Sequence, residues 1–324
     1  MKTFQITLLS LVLISCRNLV AAQPSGEVVG WGDNTAGTAT GVPNFGCSTG
    51  IVTVAGQPLN KVIAVSAGNN HSLALKNDGT VVGWGWNGGG KITIPNNLKN
   101  VTAIAAGSGY SLALNKNGEV VAWGDNPFDK TIVPKSVSSI AAIAAGDKHS
   151  VALRKDGTIA SWGEKNTPAG LSNIVGIAAS QSWGGHNLAL KKGGTVVEWD
   201  NRTSAANLVS GLSNVTAIAA GPNHSLALKS DGTVFGWGFN GSGETNIPDG
   251  LSDVVAIAAG GNDFPSSGFS LALKKDGTVV AWGRIGFQPA TVPTGLSNVI
   301  AIAAGNNFCL AVTTNSAVAD RFRH

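Results

Sequence analysis

The sequence predicts an all-β protein, a seven-bladed β-propeller closed by pairing of its N-terminal and C-terminal strands. Three observations lead to this prediction. Two short sequence elements each recur seven times, the recurrence is close to every 40 residues, and the chain begins and ends partway through a unit. Repeats of this period are typical of architectures in which each unit is one small supersecondary element.

Two independent markers define the repeat. The first is the tryptophan of a Trp-Gly element, at intervals of 53, 39, 39, 37, 38 and 45 residues. Its seven positions are Trp31, Trp84, Trp123, Trp162, Trp199, Trp237 and Trp282. The second is an Ala-Ala-Gly element that ends at Gly68, Gly107, Gly146, Ser180, Gly221, Gly260 and Gly305. Because both markers give the same count, we expect seven units.

Each unit reads as a small antiparallel sheet. Apolar residues alternate from Ser72 to Leu75, and the run from Val81 to Trp84 is β-branched and aromatic, as strands favour. Asp-Gly or Asn-Gly pairs, which tolerate the positive φ of tight hairpins, join two such runs. These pairs are Asp78-Gly79, Asn117-Gly118, Asp156-Gly157, Asp231-Gly232 and Asp276-Gly277. We therefore assign the recurrent aspartates to turns.

The chain ends indicate a ring. Residues 25–32 match the second half of a unit, and residues 308–312 end the first half of another. Pairing the two fragments would complete the seventh sheet, whereas a solenoid would need polar capping units. The prediction is a propeller over residues 23–324, with repeats over about 26–315 and a short tail at 316–324.

Residues 1–22 are typical of an export signal. Lys2 supplies the positive start, and the uncharged apolar run from Ile6 to Ser15 is too short to span a bilayer. Cleavage before Gln23 predicts a secreted protein, and acylation of Cys16 would instead predict a lipid-anchored one. No later stretch is long and glycine-free enough for a membrane span, and we expect a monomer.

Charge and cysteine content set further limits. The formal charge is +4, with 22 bases and 18 acids, and loss of Lys2 and Arg17 leaves 20 bases against 18 acids. This balance is too weak for electrostatic capture of nucleic acid. The two remaining cysteines, Cys47 and Cys309, fall in regions that ring closure brings near each other. A disulfide and two separate thiols both fit the sequence.

Three segments carry a family resemblance: VVAWGDN, IAAIAAGDKHSVALRKDGTIASWG and TVFGWGFNGSGETNIPDGLSDVVAIAAG. They resemble the regulator of chromosome condensation repeat. In unit spacing the chain is similar to the secreted bacterial branch of that family, which includes beta-lactamase inhibitor protein type II. The resemblance covers about residues 26–315 and implies the propeller fold. It implies no single function, because the fold hosts several.

Strand parity places the loops after the Ala-Ala-Gly and Trp-Gly elements on one face. These loops vary between units, and variable loops on a rigid scaffold are the usual carriers of recognition. We expect a partner-binding patch there, because aromatic anchors dominate interface energetics. Its candidate residues are Trp86, Tyr110, Trp183, Phe239, Phe264 and Arg284. Trp183 and Phe264 lie in insertions that the repeat does not require.

Neither the histidines nor the carboxylates indicate a catalytic site. Four units place a histidine at one position, where the others carry Tyr110, Phe269 and Phe308, so we expect packing there and no metal. These histidines are His71, His149, His186 and His224. The unit around Trp199 differs most from the others and adds Glu198, Asp200 and Arg202. Decay of the repeat under weak constraint and specialisation for a ligand both explain this difference.

The sequence therefore predicts a secreted, non-enzymatic binding protein without a cofactor. Its expected partner is an extracellular protein, and inhibition of an enzyme is one form this binding could take. The alternative is a glycan or cell-wall binder that uses pairs such as Trp86-Asn87 and Phe239-Asn240. A hydrolase or lyase is a third and less favoured interpretation.

Overall fold

The computed structural model describes residues 24–44, 46–164, 167–200, 205–262 and 267–314. Within these ranges the regular structure is β-strand, apart from two 3-10 turns at Gly88–Gly90 and Pro127–Asp129. The predicted signal segment, Cys16, Arg202, Phe264 and the tail at 316–324 lie outside the described residues. In the part of the chain that is described, no helix has the length and apolar character needed to cross a membrane.

The strands follow the repeat. The first four are β1 (Glu27–Asp33), β2 (Cys47–Ile51), β3 (Thr53–Val54) and β4 (Gln57–Pro58). The next nine are β5 (Val62–Ala67), β6 (His71–Lys76), β7 (Val81–Gly85), β8 (Val101–Ala106), β9 (Tyr110–Asn115), β10 (Val120–Gly124), β11 (Ile140–Ala145), β12 (His149–Arg154) and β13 (Ile159–Gly163). The following seven are β14 (Ile174–Ala179), β15 (His186–Lys191), β16 (Val196–Asp200), β17 (Asn207–Leu208), β18 (Val215–Ala220), β19 (His224–Lys229) and β20 (Val234–Gly238). The last six are β21 (Val254–Asn262), β22 (Ser267–Lys274), β23 (Val279–Ile285), β24 (Gln288–Pro289), β25 (Val299–Ala304) and β26 (Phe308–Thr313).

The described strands form seven antiparallel sheets of three or four strands, and β3 and β4 form a separate ribbon. Each sheet orders an alanine-rich strand, a central strand and a tryptophan strand, as in β5-β6-β7. The sheet that contains both chain ends has the order β2-β1-β26-β25, with Trp31 opposite Cys309. The N-terminal and C-terminal fragments are therefore parts of one sheet.

The hydrophobic core lies between neighbouring sheets. Trp123, for example, packs with Leu73 and Leu75 of the preceding sheet and with Ile104 of its own. The tryptophans thus fill the spaces between sheets, where their large apolar surfaces contribute most to burial.

The aspartate of each Asp-Gly pair holds a turn, as predicted. Asp78 accepts hydrogen bonds on Oδ1 from the N–H of Thr80 (2.9 Å) and from its hydroxyl (2.7 Å), and Gly79 has φ +82°. These bonds lower the pKa of the exposed Asp78 carboxyl. Asp156, Asp231 and Asp276 make the same pair of bonds with the threonine two residues on. These residues shape the backbone at the end of the sheet.

In four units a shared carbonyl joins a loop to the next sheet. The indole Nε1 of Trp162 donates to the carbonyl of Lys130 at 2.8 Å, and the hydroxyl of Ser150 donates to the same oxygen at 3.3 Å. Three other units repeat this arrangement, with the carbonyls of Thr38, Lys91 and Glu244 accepting from Trp84 and Ser72, Trp123 and Ser111, and Trp282 and Ser270. We call this arrangement the carbonyl latch.

The divergent unit replaces the latch with a side chain. The indole of Trp237 donates to the carboxylate of Glu198 at 2.9 Å instead of to a main-chain carbonyl. Glu198 also lies 3.9 Å from Nε2 of His186. The glutamate before Trp199 therefore has a structural role between two sheets.

The predicted alternative of a disulfide between Cys47 and Cys309 is wrong, because both cysteines are free. Cys47 lies on β2 opposite Asp33 of β1, and Cys309 lies on β26 opposite Trp31 of β1. With β1 between them, the two strands are separated by about 9–10 Å, beyond the roughly 7 Å Cα limit of a disulfide. Burial raises the pKa of the Cys309 thiol.

The latch can be tested against a natural control. Nε1 of Trp31 is buried and has no hydrogen-bond partner among the described atoms, whereas Nε1 of Trp162 is latched. Replacing either residue with Phe removes similar volume. We expect Trp162→Phe to lower the free energy of unfolding by about 1 kcal/mol more than Trp31→Phe, because only the former loses a buried hydrogen bond. Urea titration of both variants checks this, and equal losses would contradict the latch.

Candidate binding face

The variable loops meet at one end of the sheets. We call this end the loop face, formed by the loops after the Ala-Ala-Gly elements and those after the Trp-Gly elements. The N–H of Trp86 donates to the carbonyl of Asn70 at 2.8 Å. The same loop-to-loop bond joins Asp125 to Gly109, Glu164 to Lys148, Phe239 to Asn223 and Asp33 to Asn307. The two kinds of loop therefore share a face, as strand parity predicted.

An asparagine organises four of the Trp-Gly loops. Its Oδ1 accepts a bond from the main-chain N–H five residues on, at 2.8–3.1 Å. The four pairs are Asn34 with Ala39, Asn87 with Ile92, Asn126 with Thr131 and Asn240 with Thr245. Sequence analysis missed this role, although the asparagine recurs three residues after tryptophan in the repeat. These amides stabilise the loop on which they stand.

Three of the predicted anchors are exposed aromatic residues of this face. Trp183 is 76% exposed, Trp86 58% and Phe239 47%. The Trp86 ring lies over Gly88, and the Phe239 ring lies over Gly241, where a Cβ would collide with each ring. Arg284 is also exposed, opposite Pro289.

Tyr110 is a correction, because it is fully buried and cannot contact a partner. Its hydroxyl donates to the carbonyl of His149 at 2.6 Å and lies 2.9 Å from Oγ of Ser150. Burial raises the pKa of this phenol. Tyr110 therefore takes the place of the repeat histidine and joins two neighbouring sheets.

Lysines support the exposed rings, and sequence analysis missed them. Nζ of Lys148 lies 4.9 Å from the ring centre of Phe128 and 4.8 Å from that of Trp183. Nζ of Lys91 lies 5.2 Å from the ring centre of Trp86. Such cation–π contacts contribute about 0.5–1 kcal/mol at exposed sites. One signal in the sequence could have indicated Lys91. A lysine stands seven residues after tryptophan in two neighbouring units, at Lys91 and at Lys130.

These contacts link three consecutive units. Phe128 follows β10, Lys148 lies between β11 and β12, and Trp183 lies between β14 and β15. We call Trp86, Lys91, Phe128, Lys148 and Trp183 the aromatic-lysine patch. Two exposed carboxylates pair with its lysines: Asp125 with Lys91 and Glu164 with Lys148, each at 3.4 Å. The patch is therefore an apolar surface with its cations already paired.

The repeat histidines pack between sheets. Nε2 of His71 lies 2.9 Å from Oγ of Ser111, and His186, His224 and His149 make the same kind of contact with Ser225, Ser270 and Asn187. A Cβ at Gly68 would lie 2.8 Å from the His71 ring, which explains the glycine of this unit. The described residues contain no group of three potential metal ligands from His, Cys, Asp and Glu.

The repeated three- and four-stranded sheets, with their loops gathered at one end, define an all-β propeller. The model of the regulator of chromosome condensation (RCC1) repeat matches residues 62–91, 101–129, 140–167 and 215–244. Four segments of the chain thus match the RCC1 repeat, and the fold is that of an RCC1-like propeller.

Solved structures show the same fold. Prp20p from Saccharomyces cerevisiae has a TM-score of 0.72 at 21% identity, over 93% of this chain and 94% of that one. Human WBSCR16 has a TM-score of 0.67 at 17% identity, over 89% and 100%. The CRINKLY WD40 ectodomain of the Arabidopsis thaliana receptor kinase ACR4 has a TM-score of 0.57 at 26% identity, over 78% and 94%. None of the curated protein sequences matches the chain.

The buried histidines predict acid lability. Burial, followed by the Lys91 charge, lowers the pKa of His71 from 6.5 to about 3, and burial together with His186 lowers that of His224 to about 3. Below pH 6.5 the unfolded chain therefore binds protons that the folded chain does not. We expect each of these histidines to cost about 2 kcal/mol of stability at pH 5 relative to pH 7.

Urea titration at both pH values measures this loss. His71→Phe is the matched control, because two units carry phenylalanine at the same position. The variant should lose about 2 kcal/mol less than the parent between pH 7 and pH 5. If the variant and the parent lose the same free energy of unfolding between pH 7 and pH 5, His71 is not the group that titrates.

Proposed function

We propose that this chain is an exported, seven-bladed closed propeller that binds a folded extracellular protein through the aromatic-lysine patch. The observation that carries the proposal is Trp183, which is 76% exposed yet held against Lys148 together with Phe128. A large exposed aromatic residue with a fixed position is the kind of anchor that dominates protein interfaces.

Two contacts support ring closure. The strand β1 pairs on one side with β26 and on the other with β2. A Cβ at Gly305 of the last unit would lie 2.9 Å from the carbonyl of Gly68 in the first complete unit, the neighbour relation that Gly68 has with Gly107. Support for export comes from residues 1–22, whose positive start and uncharged apolar run are typical of an export signal.

The loop geometry favours a protein partner over a glycan. A sugar site on the Trp86-Asn87 and Phe239-Asn240 pairs would need free amides next to the rings. Both asparagines instead use their amides within their own loops: Asn87 bonds to Ile92 and Thr93, and Asn240 to Thr245 and Asn246. The rings remain available for apolar contact.

A binding role agrees with the architecture. RCC1-like propellers typically serve as protein-binding scaffolds, and the work on Prp20p concerns its binding to Gsp1p and histones. In this chain, rigid loops that present aromatic anchors suit a non-enzymatic inhibitor or adaptor.

The test is a binding comparison on the mature protein with a partner captured from the extracellular fluid of its source. We expect Trp86→Ala with Trp183→Ala to weaken binding of the purified partner by about 30-fold or more, the effect of losing an aromatic hot spot. Phe235→Ala is the control, since Phe235 is 40% exposed near the Asp231-Gly232 turn at the opposite end.

Two results would overturn the proposal. One is a purified partner that binds the double variant as tightly as the parent. The other is retention of polysaccharide alone, which would replace the protein-binding function with the glycan alternative.

A further inference from the structure

Gln181 crosses the centre of the propeller. Its Nε2 donates to the carbonyls of Ala67 and Ala106, both at 2.9 Å, although these residues are 114 and 75 positions away in sequence. Ala67 and Ala106 are the last residues of the alanine-rich strands β5 and β8. The carbonyl at this strand position therefore points to the centre of the propeller.

Beside Gln181 lies a recess whose described lining has no charged residue. It includes Ala220, Ala259 and Ala304, which hold the same register position in their sheets as Ala67 and Ala106. The carbonyls of these three alanines therefore point to the centre as well, like those of Ala67 and Ala106 to which Gln181 donates. Carbonyl oxygens grouped in this way form a favourable environment for a small cation or a group with several N–H donors.

The hydrogen-bond donors of the same lining are largely in use. Both N–H bonds of the Gln181 amide go to Ala67 and Ala106, and the Asn69 amide donates to Ser108 at 2.9 Å. The main-chain N–H groups of Gly221, Gly261 and Gly305 donate to the carbonyls of His224, Gly305 and Phe308. Pro222 has no N–H to offer. These donors of the recess are therefore already bonded within the protein.

One acceptor in this lining is unsatisfied. Oδ1 of Asn306 is buried and has no hydrogen-bond partner among the described atoms. A buried polar atom without a partner is uncommon and costly, so it points to a group that belongs there. A group that pairs with this oxygen must donate a hydrogen bond to it.

We propose that the central recess binds a primary ammonium group. An –NH₃⁺ carries three N–H donors and no acceptor, which suits Oδ1 of Asn306 and the carbonyls of the lining alanines. Charge-assisted bonds from the ammonium to neutral oxygens would hold it without a carboxylate. The source is either a small free amine or a lysine side chain presented by another protein.

Methylammonium is the probe for this site. Titration of the mature protein, followed by line broadening of the methylammonium methyl signal in ligand-observed NMR, should give saturable binding. Tetramethylammonium, which has the same charge and no N–H, should not bind. Equal binding of both ions would overturn the proposal, and so would the absence of saturable methylammonium binding.

Two substitutions locate the site. Asn306→Asp places a charge beside the ammonium and should tighten methylammonium binding by about tenfold, whereas Asn306→Ala should weaken it by a similar factor. Trp86→Ala, on the aromatic-lysine patch, should leave it unchanged. Identical affinities for Asn306→Asp, Asn306→Ala and the parent would overturn the assignment. Urea titration confirms that each variant is folded.

A second probe pair distinguishes the two sources of the amine. Nα-acetyl-lysine amide presents the ammonium on a side chain, and its Nε-acetylated form lacks the charge. Binding of the first and not the second supports a lysine side chain as ligand. Binding of methylammonium alone supports a small free amine.

Discussion

The carbonyl latch is the interaction on which the packing of four units against their neighbours depends. One main-chain oxygen in the loop of each latched unit accepts both the indole and the serine hydroxyl of the following sheet, as Lys130 does for Trp162 and Ser150. The bond fixes the loop and the packing of two sheets at once. Since the tryptophan also fills the space between sheets, loss of one side chain removes a hydrogen bond and a large part of the core together.

Much of the fold could be predicted from the sequence because its signals are local and repeated. Asp-Gly turns, alternating strands and the Trp-Gly element can each be recognised from a few adjacent residues, and their repetition along the chain strengthens each prediction. The contacts between units are different. Nothing local indicates that Lys130 uses its carbonyl rather than its charge, or that the Trp237 indole bonds to Glu198.

The candidate site was predicted only in part for the same reason. Trp86, Trp183 and Phe239 are exposed because they occupy loop positions that vary between units. Tyr110 misled the prediction because it occupies the repeat histidine position, where its ring is buried and its hydroxyl has partners in the next sheet. Lys148 was missed because its two aromatic contacts come from the units before and after it.

The pairing of β1 with β26 has a consequence for biosynthesis. Strand β1 (Glu27–Asp33) is synthesised long before β26 (Phe308–Thr313), the strand that covers one of its edges. During this interval β1 has an open edge, and open edges are sites of intermolecular pairing. This sheet can therefore be completed only after β26 has been synthesised, and a chain truncated before Phe308 would leave one edge of β1 unpaired.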